Sequence, residues 1–158
     1  MSQSPATLAE GLIRSVDWAE FELLTGPARG FGESLNAFVS PDATAARAEL
    51  WQTMENHVFA QDDVFSAAEP TIRVLLAALA EPRPVDVRIA ALDLLFHLVQ
   101  AANFRRDDLG RRCMEAAAEG GWLLAREALT GGLATRDACL EVLDLCAPEC
   151  ARAVRLMP

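Results

Sequence analysis

Two long apolar segments flank a short proline-containing connection between residues 62 and 102, and this stretch constrains the fold more than any other. The connection is Glu81-Pro82-Arg83-Pro84. Proline fixes φ and lacks a backbone donor, so one helix is expected to end before this connection and another to begin after it. The sequence therefore predicts a hairpin of two helices over residues 62–102.

The second half of this hairpin is apolar around most of its circumference. Apart from Arg88, its polar side chains recur at i, i+7, i+11 and i+14, which draws one narrow stripe on a helix. The stripe consists of Asp86, Asp93, His97 and Gln100. A helix with a whole side in solvent does not carry so wide an apolar surface, so neighbouring helices are expected to cover this one. The first half has an ordinary amphipathic pattern with one buried stripe.

Helical patterns recur in shorter form along the rest of the chain. Further helices are predicted from Asp17, over 33–39, over 43–58, from Asp108, over 135–145 and over 149–156. No segment alternates with period two between turn residues suited to hairpins, so no strand is predicted. With 158 residues, 52% hydrophobic and 23% charged, the chain suits one all-α domain over 1–158, and residues 1–40 are candidates for an N-terminal cap.

The net charge of the chain limits the kinds of partner that it is expected to bind. The formal net charge is −9 and all 14 basic residues are arginine, so the chain is expected to repel nucleic-acid backbones and anionic membranes. The one dense arginine cluster, between residues 105 and 112, contains two aspartates and is interpreted as a helix start with ion-paired flanks. No apolar run approaches the roughly 20 residues of a membrane span, and Glu10 and Arg14 interrupt the start of the chain where a signal peptide would be apolar. The cytoplasm is the expected compartment.

Four cysteines lie in the last third of the chain, at Cys113, Cys139, Cys146 and Cys150. In a cytoplasmic protein they are expected to be buried small hydrophobic residues rather than disulfides. Pro148 predicts a helix break between the last two, and the sequence offers no further convincing zinc ligand beside them. No metal site and no cofactor are predicted.

Residues 84–95 and 134–145 echo each other at a spacing that suits a two-helix repeat. The first of them contains Pro-x-Asp-Val-Arg-x-Ala-Ala-x-x-Leu-Leu, which resembles the second helix of a HEAT repeat. Similarity to bacterial HEAT-like proteins extends over residues 16–145, through Val16-Asp17-Trp18, Gly26-Pro27-Ala28, Leu50-Trp51 and Gln61-Asp62-Asp63-Val64-Phe65. The resemblance implies a short α–α superhelix, a HEAT-like helical repeat stack.

The sequence differs from the pattern of the HEAT-like proteins at one motif. Where that group tends to show His-Gln-Gly-Thr-x-Tyr, this chain has Ala-Gln-Asp-Asp-Val-Phe at residues 60–65. Roles tied to that histidine or tyrosine therefore do not carry over to this chain.

Three groups of side chains are candidates for chemistry. Asp93 and His97 lie one helical turn apart, so a carboxylate could orient an imidazole for general-base catalysis, although a solvated stripe explains them as well. A second group precedes the central hairpin and could bind a cation or a basic partner, or cap the next helix through its aspartates: Glu55, Asn56, His57, Gln61, Asp62 and Asp63. The third group is Trp18, Trp51 and Trp122, which could line a groove but are expected to be core residues.

The sequence contains no catalytic motif and no nucleotide-binding loop. We expect a non-catalytic protein–protein interaction module whose acidic surface receives a basic protein, because stacked repeats leave one long face free. Resemblance and charge together suggest an antitoxin-like or assembly partner. The alternative is an enzyme or small-ligand-binding protein that uses a pocket between helices lined by Asp93, His97 and the 55–63 turn.

Overall fold

Helices dominate the computed structural model, which describes residues 6–42 and 47–158. They are α1 Leu8–Ser15, α2 Phe31–Val39, α3 Arg47–Met54, α4 Ala68–Leu79, α5 Val85–Arg105, α6 Asp108–Glu119, α7 Gly121–Thr130, α8 Leu133–Cys146 and α9 Pro148–Leu156. Two antiparallel pairs of very short strands join them, β1 Glu22–Leu23 with β2 Gly26–Pro27, and β3 Phe59–Ala60 with β4 Asp63–Val64. The predicted all-α class is confirmed, and the expectation of no strand is wrong at these two hairpins.

The predicted central hairpin is formed by α4 and α5. Its first helix begins later than predicted, at Ala68, because the residues before it form the β3–β4 hairpin. Pro70 therefore stands in the first turn of α4, where its missing donor would have no helical acceptor, and no bend is required there. The second helix runs for 21 residues and ends at Arg105.

Helix α5 is covered on most sides, as its pattern predicts. It packs against α4, α6 and α8, and the β3–β4 hairpin lies against it as well. Several of its aliphatic side chains are fully enclosed, namely Leu92, Leu94, Leu95 and Leu98. They belong to one continuous cluster of buried apolar residues that extends from Ala9 to Val154.

The remaining helices follow one another in packed pairs. Helix α4 lies between α1 and α6, while α8 contacts α5, α7 and α9. The helix that begins at Asp108 is interrupted at two glycines, since α6 ends at Glu119 and α7 begins at Gly121. A Cβ atom at Gly120 would lie 2.4 Å from a methyl carbon of Leu76, so any larger residue at this junction would displace the Leu76 side chain of α4.

The N-terminal region is less regular than predicted. The helix expected from Asp17 is only a 3-10 turn, Trp18–Glu20, because the chain reverses at once into the β1–β2 hairpin. Of the helix predicted over 43–58, the structure has α3 as far as Met54, and residues 43–46 lie outside the described part of the chain.

Side chains from the α4–α5 connection hold this N-terminal region in place. The Glu81 carboxylate accepts the backbone N–H of Leu8 at 2.9 Å, at the start of α1. Arg83 donates to the carbonyl oxygen of Val39 at 2.9 Å, at the end of α2, and to that of Ala78 at 3.0 Å. Its side chain is only 6% exposed. One short connection thus satisfies the ends of three helices.

The three tryptophans divide between core and surface. Trp18 is buried and its indole N–H donates to the carbonyl of Ile13 at 3.1 Å. Trp51 is half-buried and packs against the core. Trp122, by contrast, is 67% exposed, so its expected core position is wrong. Within residues 6–42 and 47–158, no helix combines the length and apolarity needed to span a membrane.

Candidate functional site

Residues 55–64, the 55–64 loop, contain most of the polar side chains predicted to carry function. The loop reverses twice through left-handed backbone at Asn56 and Gln61, whose φ angles are 61° and 53°. These turns direct Phe59 and Val64 into the core and leave Glu55 and Asp62 exposed. Asparagine tolerates this conformation because its short amide can bond locally, whereas glutamine does so less readily.

One arginine of α5 fixes the loop to the central hairpin. Arg105 donates to the Asp63 carboxylate at 2.9 Å and also to the backbone carbonyl of Val64. Its Nε donates to Asp107 at 2.7 Å, and this hydrogen bond is the main reason that the pKa of Arg105 is raised. The alternative role of Asp62 or Asp63 as the cap of the next helix is wrong, because the N-cap position of α4 is Ala67.

His57 also forms hydrogen bonds that stabilise the 55–64 loop. Its Nδ1 lies 3.0 Å from the carbonyl oxygen of Glu55, and its own carbonyl accepts the N–H of Leu24 at 2.8 Å. The 55–64 loop is thereby joined to the turn between β1 and β2. His57, like Asp63, has a structural partner that accounts for its position.

His97 lies where the 55–64 loop meets α5, inside a cluster of aromatic rings. Its ring centroid is 5.3 Å from those of Trp51 and Phe59 and 5.9 Å from that of Phe96. The side chain remains 38% exposed. These contacts fasten α3 and β3 onto α5 and fix the plane of the imidazole.

The hydrogen bond of His97 differs from that of a catalytic dyad. Its Nδ1 lies 2.8 Å from the backbone carbonyl oxygen of Asp93 and 3.5 Å from the carboxylate Oδ1 of the same residue. A carbonyl oxygen only accepts, so Nδ1 carries the proton and donates to the preceding turn of its own helix. In a dyad the carboxylate accepts the hydrogen bond from that N–H and stabilises the imidazolium. Here the carboxylate is the more distant partner.

The two ends of the predicted polar stripe have separate environments. Asp86 pairs with Arg47 at 3.4 Å, and Arg47 is itself buried and donates to the carbonyl of Phe38 at 2.7 Å. Gln100 is half-buried, one turn beyond His97. The stripe thus has a structural end at Asp86 and an exposed carboxylate, Asp93, near its middle.

A groove between α5 and α8 begins on the other side of Asp93. Its volume is about 170 Å³, and its floor is apolar, formed by Ile89, Leu92, Phe96, Ala134 and Ala138. Asp93 stands on the α5 rim and Glu141 on the α8 rim. Neither His97 nor the 55–64 loop lines it.

Sequence reasoning missed the α8 side of this surface. Glu141 and Asp137 are exposed one helical turn apart on α8, and neither is among the residues predicted for the site. The echo between residues 84–95 and 134–145 was the available signal, since it marks α8 as a second copy of the α5 pattern. The similarity between the two segments does not, however, indicate that α5 and α8 lie side by side.

The cysteines are free and unsuited to chemistry. Burial raises the pKa of the Cys113 and Cys139 thiols to about 12 and that of Cys146 to about 11. Thiols with such values stay protonated at neutral pH and are poor nucleophiles and poor metal ligands. The predicted break at Pro148 is confirmed, since α8 ends and α9 begins there. Among the residues that the structure describes, no group of three or more His, Cys, Asp or Glu side chains could hold a metal ion.

No protein-family model, no curated protein and no solved structure matches this chain. Its side chains bring together exposed carboxylates, an apolar groove and an imidazole bonded to its own helix.

Proposed function

We propose that this chain is a non-catalytic protein-interaction module, a short HEAT-like stack whose acidic surface receives a basic protein. The order of helix packing supports the repeat: α4 and α5 form one pair, α6–α7 and α8 the next, with α4 against α6 and α5 against α8. Stacked helix pairs bury their core between layers and leave an extended face for partners. The free cysteine thiols suit the reducing cytoplasm that we propose as its compartment.

The observation that carries the proposal is the distribution of carboxylates without an arginine partner. Most acidic side chains beyond residue 62 pair with an arginine of this chain, as Asp63 does with Arg105 and Asp144 with Arg155. Several exposed carboxylates in the described part of the chain have no such arginine within ion-pair distance, and five of these lie on the 55–64 loop and on the helices α5 and α8. We call them the acidic surface: Glu55, Asp62, Asp93, Asp137 and Glu141.

Contacts join the members of the acidic surface. The 55–64 loop reaches α5 through Phe59 and His97, His97 contacts Asp93, and Asp93 faces Glu141 across the groove. Carboxylates arranged in this way produce a summed negative potential, which accelerates encounter with a positively charged partner. The enzyme alternative has less support, because the groove that Asp93 lines includes neither His97 nor the 55–64 loop.

The proposal is tested in two steps. The tagged chain is first cross-linked in its native source, and the protein joined to it is identified and purified. Association with that protein is then measured by stopped flow for the wild type and for Glu55→Lys/Asp62→Lys/Asp93→Lys, at about 0.05 and 0.5 M salt, over which the screening length falls severalfold. We expect the wild-type rate to fall with salt, and the variant to associate roughly tenfold or more slowly at low salt.

A matched control keeps the net charge change and moves it elsewhere. Glu20→Lys/Glu33→Lys/Glu149→Lys changes three carboxylates that are exposed and outside the acidic surface, so its association rate should stay close to that of the wild type. Asp63 is left intact in both variants because it anchors the loop through Arg105. Association that is indifferent to salt, or an equal loss in the control, would contradict the electrostatic proposal.

A further inference from the structure

The groove between α5 and α8 is large enough to hold one side chain of a bound partner. Its volume is about 170 Å³, close to the roughly 150 Å³ at which a closed apolar cavity admits benzene. Its floor is aliphatic and aromatic, with Ile89, Leu92 and Phe96 on one side and two alanines on the other. The alanines leave the space open where a larger residue would fill it. One leucine, phenylalanine or comparable side chain fits such a seat.

The groove also restricts the backbone of what can bind there. Both walls are helices, whose central N–H and C=O groups are already bonded within the helix. An extended strand needs a free sheet edge with which to share hydrogen bonds, and this groove has none to offer. A segment that satisfies its own backbone, a helix, can lie along it with one side chain inserted.

The rims supply the charge requirement. Asp93 touches only the imidazole of His97 among basic groups, and Glu141 has no ion pair within the described residues. Asp137 adds a third exposed carboxylate on the α8 side. Elsewhere the surface of α6 shows the opposite arrangement, in which Arg111 lies between Asp108 and Glu115 and pairs with both. The positive charge that this chain supplies along α6 is missing at the groove.

We infer that the groove binds a helical segment of a partner protein, with one large apolar side chain seated between α5 and α8 and arginine or lysine on either side of it. The inference rests on the proposed interaction function and names the partner segment that this function requires. The apolar side chain would supply affinity, and the basic residues would meet Asp93 and Glu141 and set the orientation of the segment.

The test uses a displayed library of helical peptides of about 20 residues, a length that spans roughly 30 Å, selected on the full chain. Enriched peptides are synthesised and their dissociation constants measured by fluorescence anisotropy. We expect them to share a central large apolar residue flanked by arginine or lysine.

Two test variants, each with a matched control, locate the bound peptide on the chain. Ala134→Trp fills the groove from an exposed position on its wall and should weaken binding at least about tenfold, the scale of a lost anchor residue. Ala118→Trp, at an exposed alanine of α6 that does not line the groove, should bind as the wild type does. Asp93→Asn/Glu141→Gln should weaken binding and flatten its salt dependence, whereas Glu33→Gln/Glu149→Gln should not.

The outcomes separate this inference from the broader function. Basic peptides that bind Ala134→Trp as well as the wild type would overturn the groove and leave the acidic module standing. Enriched peptides that need the groove but carry no positive charge would overturn the electrostatic function too. A library that yields no binder would overturn the helical partner alone, since the cross-linking experiment tests folded partners independently. Wild-type self-association that Ala134→Trp abolishes in sedimentation would identify a second copy of this chain as the occupant, and would overturn the inference as stated.

Discussion

The helices after residue 67 and the region before it are stabilised in different ways. In the later region, long helices bury aliphatic side chains such as Leu95 and Leu143 against one another. In the earlier region, short elements depend in addition on side chains that bond to backbone groups, chiefly Arg47 and Arg83. Apolar packing is spread over many small contacts, whereas each arginine concentrates a few hydrogen bonds on which a helix end depends. Single substitutions are therefore expected to destabilise the two regions in different ways.

The largest effect is expected from the packed region. Leu95→Ala removes a fully buried side chain of α5, and the cavity left behind should lower the free energy of unfolding by about 2 to 5 kcal/mol. Urea denaturation followed by far-ultraviolet circular dichroism measures this loss. Leu133→Ala, at a side chain that is 81% exposed, should cost less than about 0.5 kcal/mol. A loss below about 1 kcal/mol at Leu95 would mean that α5 is not the covered helix.

A smaller and more local effect is expected from the arginine clamp. Arg83→Met keeps much of the side-chain length but removes the side-chain hydrogen bonds to the carbonyls of Val39 and Ala78, which should cost about 1 to 3 kcal/mol. Hydrogen exchange should accelerate in α1 and α2 and stay nearly unchanged in α8. The comparison variant is Arg152→Met, at an exposed arginine of α9. Uniform acceleration along the chain would show that the two regions unfold as one unit.

The smallest effect is expected in the dependence of stability on pH under acidic conditions. The pKa of Asp107 is lowered, first by the hydrogen bond it accepts from the Gly110 N–H and then by Arg105. A lowered folded-state pKa gives stability that is complete above the ordinary value of 3.8 and is lost as the pH falls through the lower folded value. Asp107→Asn should therefore flatten the fall of Tm with acid, measured by scanning calorimetry. The slope should not vanish, because arginines also lower the pKa values of Asp108 and Asp144. Identical slopes would contradict this role.

The sequence was most informative where apolar residues follow helical spacing. The α4–α5 hairpin and the coverage of α5 follow from that pattern, because a helix that is apolar nearly all round has to be enclosed. The same reasoning failed at Asp17, where Trp18 and Phe21 have helical spacing but the chain turns into a hairpin. The prediction that Trp122 is a core residue was wrong for a related reason. Periodicity assigns a side chain to one face of a helix but does not indicate whether a neighbouring element covers that face.

The candidate site was only partly predictable. The exposed carboxylates Glu55, Asp62 and Asp93 are among the predicted residues. Nothing local, however, indicates that Arg105 reaches back to Asp63, or that α8 brings Glu141 opposite Asp93. Both contacts depend on how elements far apart in sequence come together, and a single sequence carries no signal for such pairings.

The connection between α4 and α5 also has a consequence for the order of folding during synthesis. The groups that complete the start of α1 and the end of α2 are Glu81 and Arg83, which lie 73 and 44 residues further along the chain than Leu8 and Val39. Helices α1 and α2 are synthesised before either side chain has been made, and helices this short are marginal in water by themselves. Stable folding of α1 and α2 is therefore expected only after residues 81–83 have been synthesised. The first stable nucleus during translation is expected to contain the α4–α5 hairpin.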